Sequence, residues 1–528
     1  MATKVLVSDE LSPTGIEILR KGGLEVDVRA GIPREELLRI IPDYDALLVR
    51  SATKVDREVL EAGTRLRLVG RAGVGVDNVD VHEATRRGIV VMNTPGASAV
   101  TVAEQTFAMI LAMLRHIPAA TASVKAGKWE KKRFQGREAR GKTLGIIGIG
   151  NIGAIVAQRA QAFGMKVIGH DPFISHEAAL KLGVELVPLE ELWSRSDVIS
   201  LHVPLTEQTR HLVNAQTLAK MKPGSYLVNA ARGGVVDETA LAEALKSGHL
   251  AGAALDVFEQ EPPPPDHPLF ALENFVAAPH LGASTQEAQQ VVGEILAEQV
   301  VDYFTRGEVR NAVNVPSVSA EVLEVLGPWL DLAEKVGALA GQLCEGRASK
   351  VTVEIAGELS EQPARPLTAQ VLKGMLRFFT QDPINEINAP ELAKERGLQI
   401  SEVKKAESPD YASSIGVRLE GKDSSLLVVG SLLGKHDPRI VRVDDFVLDA
   451  VPSGNLLVLR NEDVPRIVGM VGMVLGDAGI NIARIHLSRV APRGQAFSII
   501  NVDSEVPPEV LQKLRSIPHV LRVTPIKL

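Results

Sequence analysis

The sequence predicts an α/β chain of several domains: two successive units with parallel, helix-covered sheets, then two smaller α+β units. Three observations predict it. Short apolar runs alternate with helix-forming segments through residues 4–280, the order that builds parallel sheets. Within that stretch, Leu144, Ile146 and Ile147 are followed by Gly148, Gly150 and Gly153 in G-x-G-x-x-G spacing and then by a helix-forming segment. Near the end, residues 455–528 read strand, helix, strand, strand, helix, strand. The length of 528 residues also requires several cores, since a single core seldom grows past ~250–300 residues.

The elements follow in order. In the first unit, strands are expected at 4–7, 46–49, 68–71 and 89–92, with helices at 14–21, 34–40, 56–62 and 81–87. A long, mostly apolar helix at 98–115 suits a crossing between domains or a subunit contact. The second unit has six expected strands, at 144–147, 166–170, 198–202, 225–229, 251–257 and 275–278. Six strands alternating with helices match a doubly wound dinucleotide fold. A helix at 284–304 is long enough to return to the first unit. The first domain is therefore expected to be discontinuous, 1–96 with 284–312, around a Rossmann domain at 97–283. After Pro316 the character changes: residues 316–451 carry a helix at 321–344, an alternating strand at 350–356, two helical segments, and strands at 413–419, 425–432 and 439–443. Residues 453–528 form the last unit, with strands at 456–459, 480–487, 496–502 and 521–525, a helix at 467–475, and another opened by Pro507-Pro508. Proline suits a helix start because its φ is fixed and it lacks an N–H. That order is the ferredoxin-like arrangement.

Composition excludes several classes. A net charge of −7 argues against a general nucleic-acid binder, which needs a basic excess. Aromatic residues at 4% leave little for a base-stacking surface. The longest apolar run, 107–114, is far short of the ~20 residues that span a bilayer, so no membrane partner is expected. Cys344 is the only cysteine, which removes intrachain disulfides and thiolate clusters and fits a reducing cytoplasm. No H-E-x-x-H or clustered His/Cys/Asp set appears, so no metal is expected; no G-x-S-x-G elbow or phosphate-binding G-K-[ST] loop appears either.

The glycine loop has a physical reading. Gly148 allows a tight turn, Gly150 lets backbone approach a pyrophosphate, and Gly153 lets helix pack on strand, while the helix N-terminus offers free N–H groups to the anion. Asp171 ends the next strand at the offset where an acid accepts hydrogen bonds from ribose hydroxyls. No arginine follows it to welcome a 2′-phosphate, so NAD is expected rather than NADP. Ligands of such sheets bind beyond the carboxyl ends of the strands, where Arg232, Glu261 and His280 follow three successive strands, the second of which contains Asp256 near its end. An imidazole is the base wanted for oxidising a secondary alcohol. A carboxylate fixes its tautomer, and a guanidinium holds a substrate carboxylate by two bonds. Alone, each residue reads equally well as structural: a helix cap, a solvated acid, a core histidine. His202, with no evident acid partner, reads as structural. A basic cluster at 125–142 is either a solvated surface or a phosphate-recognition element, to which Arg50 and Arg71 add charge.

The stretches Val49-Arg-Ser-Ala-Thr-Lys54, Gly70-Arg-Ala-Gly-Val-Gly-Val-Asp-Asn-Val-Asp80, the Gly148 loop, Asn229-Ala-Ala-Arg-Gly-Gly-Val-Val-Asp237, Leu255-Asp-Val-Phe-Glu259 and Pro279-His-Leu-Gly-Ala-Ser-Thr285 together resemble the long-form D-3-phosphoglycerate dehydrogenase family within the D-isomer-specific 2-hydroxyacid dehydrogenases. The resemblance spans the whole chain. It implies a flavodoxin-like substrate domain, a Rossmann NAD domain, an intervening allosteric substrate-binding domain and a C-terminal ACT domain. It implies that His280 is the acid/base, Glu261 its partner and Arg232 the substrate anchor. Arg50, Ser51, Arg71 and backbone from Gly73 to Gly75 would hold substrate, and Lys131 or Lys132 would reach a neighbouring subunit's site. NAD contacts would fall on Val74, Gly148, Gly150, Asn151, Ile152, Gly153, Asp171, Val203, Ala230, Ala231, Arg232, Asp256, His280, Leu281, Gly282 and Ala283. The implied reaction is oxidation of 3-phospho-D-glycerate to 3-phosphooxypyruvate, opening L-serine biosynthesis, with 2-oxoglutarate reduction on the side, in a homotetramer.

The ACT stretch departs from that family's Asp-x-Pro-Gly loop, reading Asp463-Val-Pro465-Arg466. Asn461, Asp463 and Asn481 remain as polar partners for an effector. A side chain where backbone should approach the ligand implies that L-serine inhibits weakly or not at all while the domain still pairs. Two alternatives stay open: a dehydrogenase of an unphosphorylated 2-hydroxy acid, and an NAD-sensing scaffold of the corepressor kind.

Overall fold

The computed structural model describes residues 3–315, 320–380, 384–408, 410–422 and 424–528. The first domain is a five-stranded parallel sheet of β1 (Lys4–Val7), β2 (Glu25–Val28), β3 (Ala46–Val49), β4 (Leu68–Arg71) and β5 (Val90–Met92) in the order β2-β1-β3-β4-β5. This is the flavodoxin-like order. The helix Gln286–Arg306 does return to it: Val292, Leu296, Ala297 and Val300 share one core with Val5, Val7 and Leu48. Glycine makes that docking possible, because a Cβ on Gly15 would stand 2.7 Å from the Gly293 carbonyl oxygen. The chain then runs along β5, where Val313 N–H donates to the Val91 carbonyl and Asn314 accepts from Val91 N–H. An edge is covered that would otherwise expose unpaired backbone.

The second domain has seven parallel strands, one more than expected: β6 (Thr143–Ile147), β7 (Lys166–His170), β8 (Glu185–Leu186), β9 (Val198–Leu201), β10 (Ser225–Asn229), β11 (Leu250–Leu255) and β12 (Phe275–Ala277). Their order is β12-β11-β10-β9-β6-β7-β8. Strand order reverses between β6 and β9, which opens a crevice at their carboxyl ends. The expected helix at 98–115 stops at Leu114; His116 turns left-handed (φ 53°) and a second helix, Ile117–Lys125, follows.

The third domain packs the helices Ala320–Leu343, Ala364–Leu376 and Ala389–Glu395 with a six-stranded sheet. Its strands are β13 (Ala348–Gly357), β14 (Gln399–Lys405), β15 (Ser413–Gly421), β16 (Ser425–Leu433), β17 (Asp437–Val443) and β18 (Phe446–Ala450), in the order β14-β13-β15-β16-β17-β18. The boundary expected at Pro316 lies outside the described residues. The fourth domain pairs β19 (Asn455–Glu462), β20 (Ile482–Arg489), β21 (Gln495–Val502) and β22 (Val520–Lys527) antiparallel, in the order β20-β21-β19-β22. The helices Ile467–Asp477 and Pro508–Arg515 share the core on one side of this sheet. On the other side, Leu456, Val458, Phe497, Ile499 and Ile526 join the core of the third domain, with Val336, Val353, Ile415 and Phe446. The joint between the third and first domains is smaller. Ile387 enters the first domain's core, and Asn385 and Asn388 donate to the carbonyls of Gly88 and Arg86 at 2.9 and 3.1 Å. No single helix among the described residues is long and apolar enough to cross a membrane.

Candidate active site

The glycine loop follows its physical reading. Gly148 has φ 92°, and a Cβ there would stand 2.6 Å from the His202 carbonyl oxygen. A Cβ on Gly153 would run into the Gly148 carbonyl oxygen, so helix and turn could not close with a side chain present. Gly150 faces open space at the N-terminus of the helix Asn151–Ala162. Asp171 holds the turn from below, its two oxygens accepting from Ile149 N–H at 2.7 Å and Phe173 N–H at 2.8 Å. Open backbone at Gly150, a helix N-terminus and a carboxylate beside the loop fit a dinucleotide.

A cleft of about 1480 Å³ separates the first two domains. It gathers Arg50, Ser51, Arg71 and Gly73 from one wall, and Arg232, Glu261, His280 and Ala283 from the other. His280 Nδ1 lies 2.7 Å from Glu261 Oε2, and Glu261 Oε1 accepts from Phe258 N–H at 3.0 Å. His280 sits left-handed (φ 55°), its N–H held by the Asp256 carbonyl at 2.8 Å. The Glu261 hydrogen bond lifts the imidazole pKa above its ordinary value; burial opposes it, and the nearby charges of Glu261 and Asp256 add to the rise. For Glu261, burial pushes the carboxyl up, but the bonds from His280 and the Phe258 amide outweigh it and hold it below its usual range. Nδ1 is thereby fixed as the protonated nitrogen, which leaves Nε2 to exchange a proton.

Arg232 follows β10. Its Nε donates to Asp77 Oδ2 at 3.0 Å across the cleft and one terminal nitrogen to the Ala231 carbonyl at 2.7 Å. Asn229 shapes that turn, accepting from Ala231 N–H and donating to the Arg232 carbonyl. Arg71 is the more confined cation. Burial, with the charge of Arg232 adding to it, pulls its pKa down to about 10, and its buried Nε has no partner. A buried guanidinium nitrogen without a partner is costly, and the described residues supply no carboxylate for it.

Some expected residues lie elsewhere. Asp256 is 1% exposed and uses both carboxylate oxygens on the amides of Leu281 and Gly282, at 2.8 and 2.7 Å. It positions the loop that carries His280; burial raises its pKa, with those two amides opposing. Val203 lies beside the Gly148 turn, Ala230 and Ala231 are buried, and Val74 and Leu281 are exposed. Lys131 and Lys132 are exposed outside the cleft. His202 bonds Ser200 Oγ at 2.8 Å, and burial takes its pKa down to about 4. Sequence reasoning missed Asp77 and Asn229. Each had a signal, an acid within the Gly70–Asp80 stretch and an asparagine ending a strand before Gly233-Gly234.

In the fourth domain a cavity of about 230 Å³ is lined by Asn461, Asp463 and Arg466 among apolar side chains. Asn461 is 3% exposed and its Oδ1 has no partner. Asp463 accepts from Arg489 at 2.7 Å and from Arg493 N–H at 3.2 Å, and the Arg489 bond holds its pKa below the usual range. Arg466 adopts φ 79° before the helix Ile467–Asp477, a conformation that favours glycine. Asn481 bonds Asp503 and does not line this cavity.

Comparison with known proteins agrees with this arrangement. Residues 107–282 match the D-isomer specific 2-hydroxyacid dehydrogenase NAD binding domain, 325–444 the D-3-phosphoglycerate dehydrogenase intervening domain, and 455–519 the ACT domain. D-3-phosphoglycerate dehydrogenase of Methanocaldococcus jannaschii is 45% identical over 99% of this chain and 100% of its own. The Synechocystis enzyme of the same name is 43% identical over 99% and 95%. Among solved structures, the TT0316 protein from Thermus thermophilus covers 59% of this chain and 100% of its own, at 39% identity and a TM-score of 0.55. An NAD-dependent formate dehydrogenase from Staphylococcus aureus in complex with NAD covers 60% and 100%, at 31% identity and 0.53. Fold, glycine loop and cleft are thus those of an NAD-dependent dehydrogenase acting on D-2-hydroxyacids as a class. Within that class, the chain belongs to the D-3-phosphoglycerate dehydrogenase family.

Proposed function

We propose that this protein oxidises 3-phospho-D-glycerate to 3-phosphooxypyruvate with NAD, the step that opens L-serine biosynthesis. The observation that carries the reading is the His280–Glu261 pair on the same wall as Arg232, in a cleft whose other wall bears Arg50 and Arg71. The loop of Gly148 and Gly150 and the N-terminus of the helix Asn151–Ala162 would hold NAD, which would supply the acceptor for the hydride leaving C2. His280 Nε2 takes the hydroxyl proton, and Glu261 stabilises the imidazolium that results. Arg232 holds the carboxylate and polarises the forming carbonyl. Arg71 and Arg50 answer the remaining negative charge of the phosphate. Asp77 occupies Arg232 until a stronger anion displaces it.

The same cleft would admit a short dicarboxylate, so a side reduction of 2-oxoglutarate is an expectation of this reading. Lys131 and Lys132 belong in this reading to a neighbour's site, and a cytoplasmic homotetramer is the expected form, to be checked by sedimentation. L-Serine is the expected effector class at Asn461, with Asn481 contributed across a domain pair. Its inhibition is expected to be weak, because the Arg466 side chain stands where backbone should approach. The test is NADH absorbance with NAD and either 3-phospho-D-glycerate or D-glycerate, with and without serine. Turnover of the phosphate ester far above D-glycerate supports the reading. Equal turnover moves the substrate to unphosphorylated acids, and full inhibition by micromolar serine removes the role given to Arg466.

A further inference from the structure

The loop 50–54 joins β3 to the helix Arg57–Ala62 and enters the cleft with Arg50, Ser51 and Lys54. A loop rich in long cations is ordinarily mobile, yet this one is tied from both sides. Below it lies Asp9, 6% exposed, just beyond β1. Asp9 Oδ2 accepts from Arg50 N–H at 2.6 Å and Thr53 N–H at 3.1 Å, while Oδ1 accepts from Thr53 Oγ1 at 2.7 Å. Ser8 Oγ donates to Thr53 Oγ1 at 2.9 Å. From the other side, Asn78 Nδ2 donates to the carbonyls of Arg50 and Thr53, both at 2.7 Å. Asn78 is itself fixed, since its carbonyl accepts from Val55 N–H at 2.8 Å.

This clamp uses the N–H groups of Arg50 and Thr53 but not those between them. Among the described residues, Ser51 and Ala52 N–H donate to no group of the chain. Arg50, Lys54 and Arg71 likewise have no carboxylate within ion-pair distance among those residues. Ser51 lines the cleft together with Arg50, Lys54 and Arg71, so free backbone N–H of this turn and unpaired cations occur together where an anion can bind, and the clamp holds the turn in shape before any ligand arrives. Preorganisation of this kind raises affinity by removing the ordering cost from the binding step.

We infer that Asp9 and Asn78 are positioning residues that set the preference for a phosphorylated substrate, by locking the 50–54 loop as a preformed phosphate cradle. The side chains of Asp9 and Asn78 bond the 50–53 turn and not His280, Glu261 or Arg232, so their expected action is on binding of the phosphate rather than on hydride transfer. The inference rests on the substrate reading above.

The experiment compares wild type, Asp9→Asn, Asn78→Ala and the near-isosteric Thr53→Val in steady-state kinetics. Substrates are 3-phospho-D-glycerate and D-glycerate, with inorganic phosphate as competitive inhibitor. Loss of hydrogen bonds that shape a charged site is expected to raise KM for the phosphate ester and Ki for phosphate about tenfold or more in Asp9→Asn and Asn78→Ala, and about threefold in Thr53→Val. kcat, KM for NAD and all constants for D-glycerate are expected to stay within about threefold, a split that mere destabilisation does not give. Thr53→Val keeps the test open should a larger change fail to fold. KM values for both substrates rising together, or kcat falling with the phosphate Ki unchanged, would overturn the clamp. A wild type that does not prefer the phosphate ester overturns the substrate reading itself, and the clamp's role with it.

Discussion

The cleft between the first two domains and the seam between the last two are built from opposite materials. The cleft is open and lined by Arg50, Arg71, Arg232, Glu261 and His280, and Arg232–Asp77 is an ion pair bridging its walls. The seam has an apolar centre, with Leu456, Val458, Phe497, Ile499 and Ile526 sunk into the third domain's core and Phe446 stacked on Phe497 at 5.4 Å, and its charged pairs Arg460–Asp444 and Arg522–Glu345 are satisfied within it. Polar groups left without partners are costly, whereas apolar burial stabilises without direction. The cleft gives up stability for chemistry, and the seam makes two domains respond as one. A ligand in the Asn461 cavity of the fourth domain would therefore act on the third through this shared core. From there the path to the first domain narrows to Asn385, Ile387 and Asn388, with Glu391 facing His82 at 3.6 Å and Glu395 paired with Arg86 at 3.5 Å.

Substitutions can break this comparison. The largest effect is expected from His280→Gln: turnover falls by ~10²–10⁴-fold, the range for loss of a general base, while NADH binding by fluorescence and the melting temperature stay near wild type. A large loss of stability there would place His280 in the fold rather than the chemistry. Phe497→Ala is the mirror case. It should cost ~3–5 kcal/mol, as for a buried aromatic, and calorimetry should show the third and fourth domains melting together, with kcat unchanged in the surviving fold. Separate transitions would contradict the shared core.

Smaller effects sharpen the contrast. Asp77→Ala removes a pair whose carboxylate is 70% exposed, so stability should move by less than ~1 kcal/mol. KM for substrate should fall slightly, because Arg232 no longer has to leave a partner. An increase in KM would mean that Asp77 orients Arg232 for substrate. Arg466→Gly relieves a left-handed φ of 79° and should stabilise the fourth domain by roughly 1 kcal/mol, with serine inhibition strengthened in the same variant. Unchanged serine response would remove Arg466 from that site.

The strands that escaped the sequence reading share a position. β2, β8, β14 and β18 all lie at sheet edges. β2 reads Glu-Val-Asp-Val and β14 Gln-Ile-Ser-Glu-Val-Lys-Lys, half-exposed and charged, as edges are when they must not recruit further strands. Central strands such as Ala46–Val49 are buried at every residue and read as plain apolar runs. The site was legible for another reason. Arg232 and Glu261 follow the inner strands β10 and β11, and His280 follows the edge strand β12; the fold rule that places ligands at strand ends locates all three. Asp77 crosses from another domain, 155 residues away from Arg232 in sequence, and Asp256 turns inward to its own loop. Such pairings depend on three-dimensional closure, and no local pattern announces them.

The central claim is that Glu261 tunes His280 as the base, and its most direct test is the pH dependence of kcat/KM for 3-phospho-D-glycerate oxidation in wild type and Glu261→Gln. Oxidation needs neutral imidazole, so the rate should rise with pH through a His280 pKa that Glu261 holds above the ordinary value. Without the carboxylate that pKa falls, and the rising limb should move to lower pH while the plateau drops. A limb that stays in place, or moves to higher pH, would contradict the assignment of this pair.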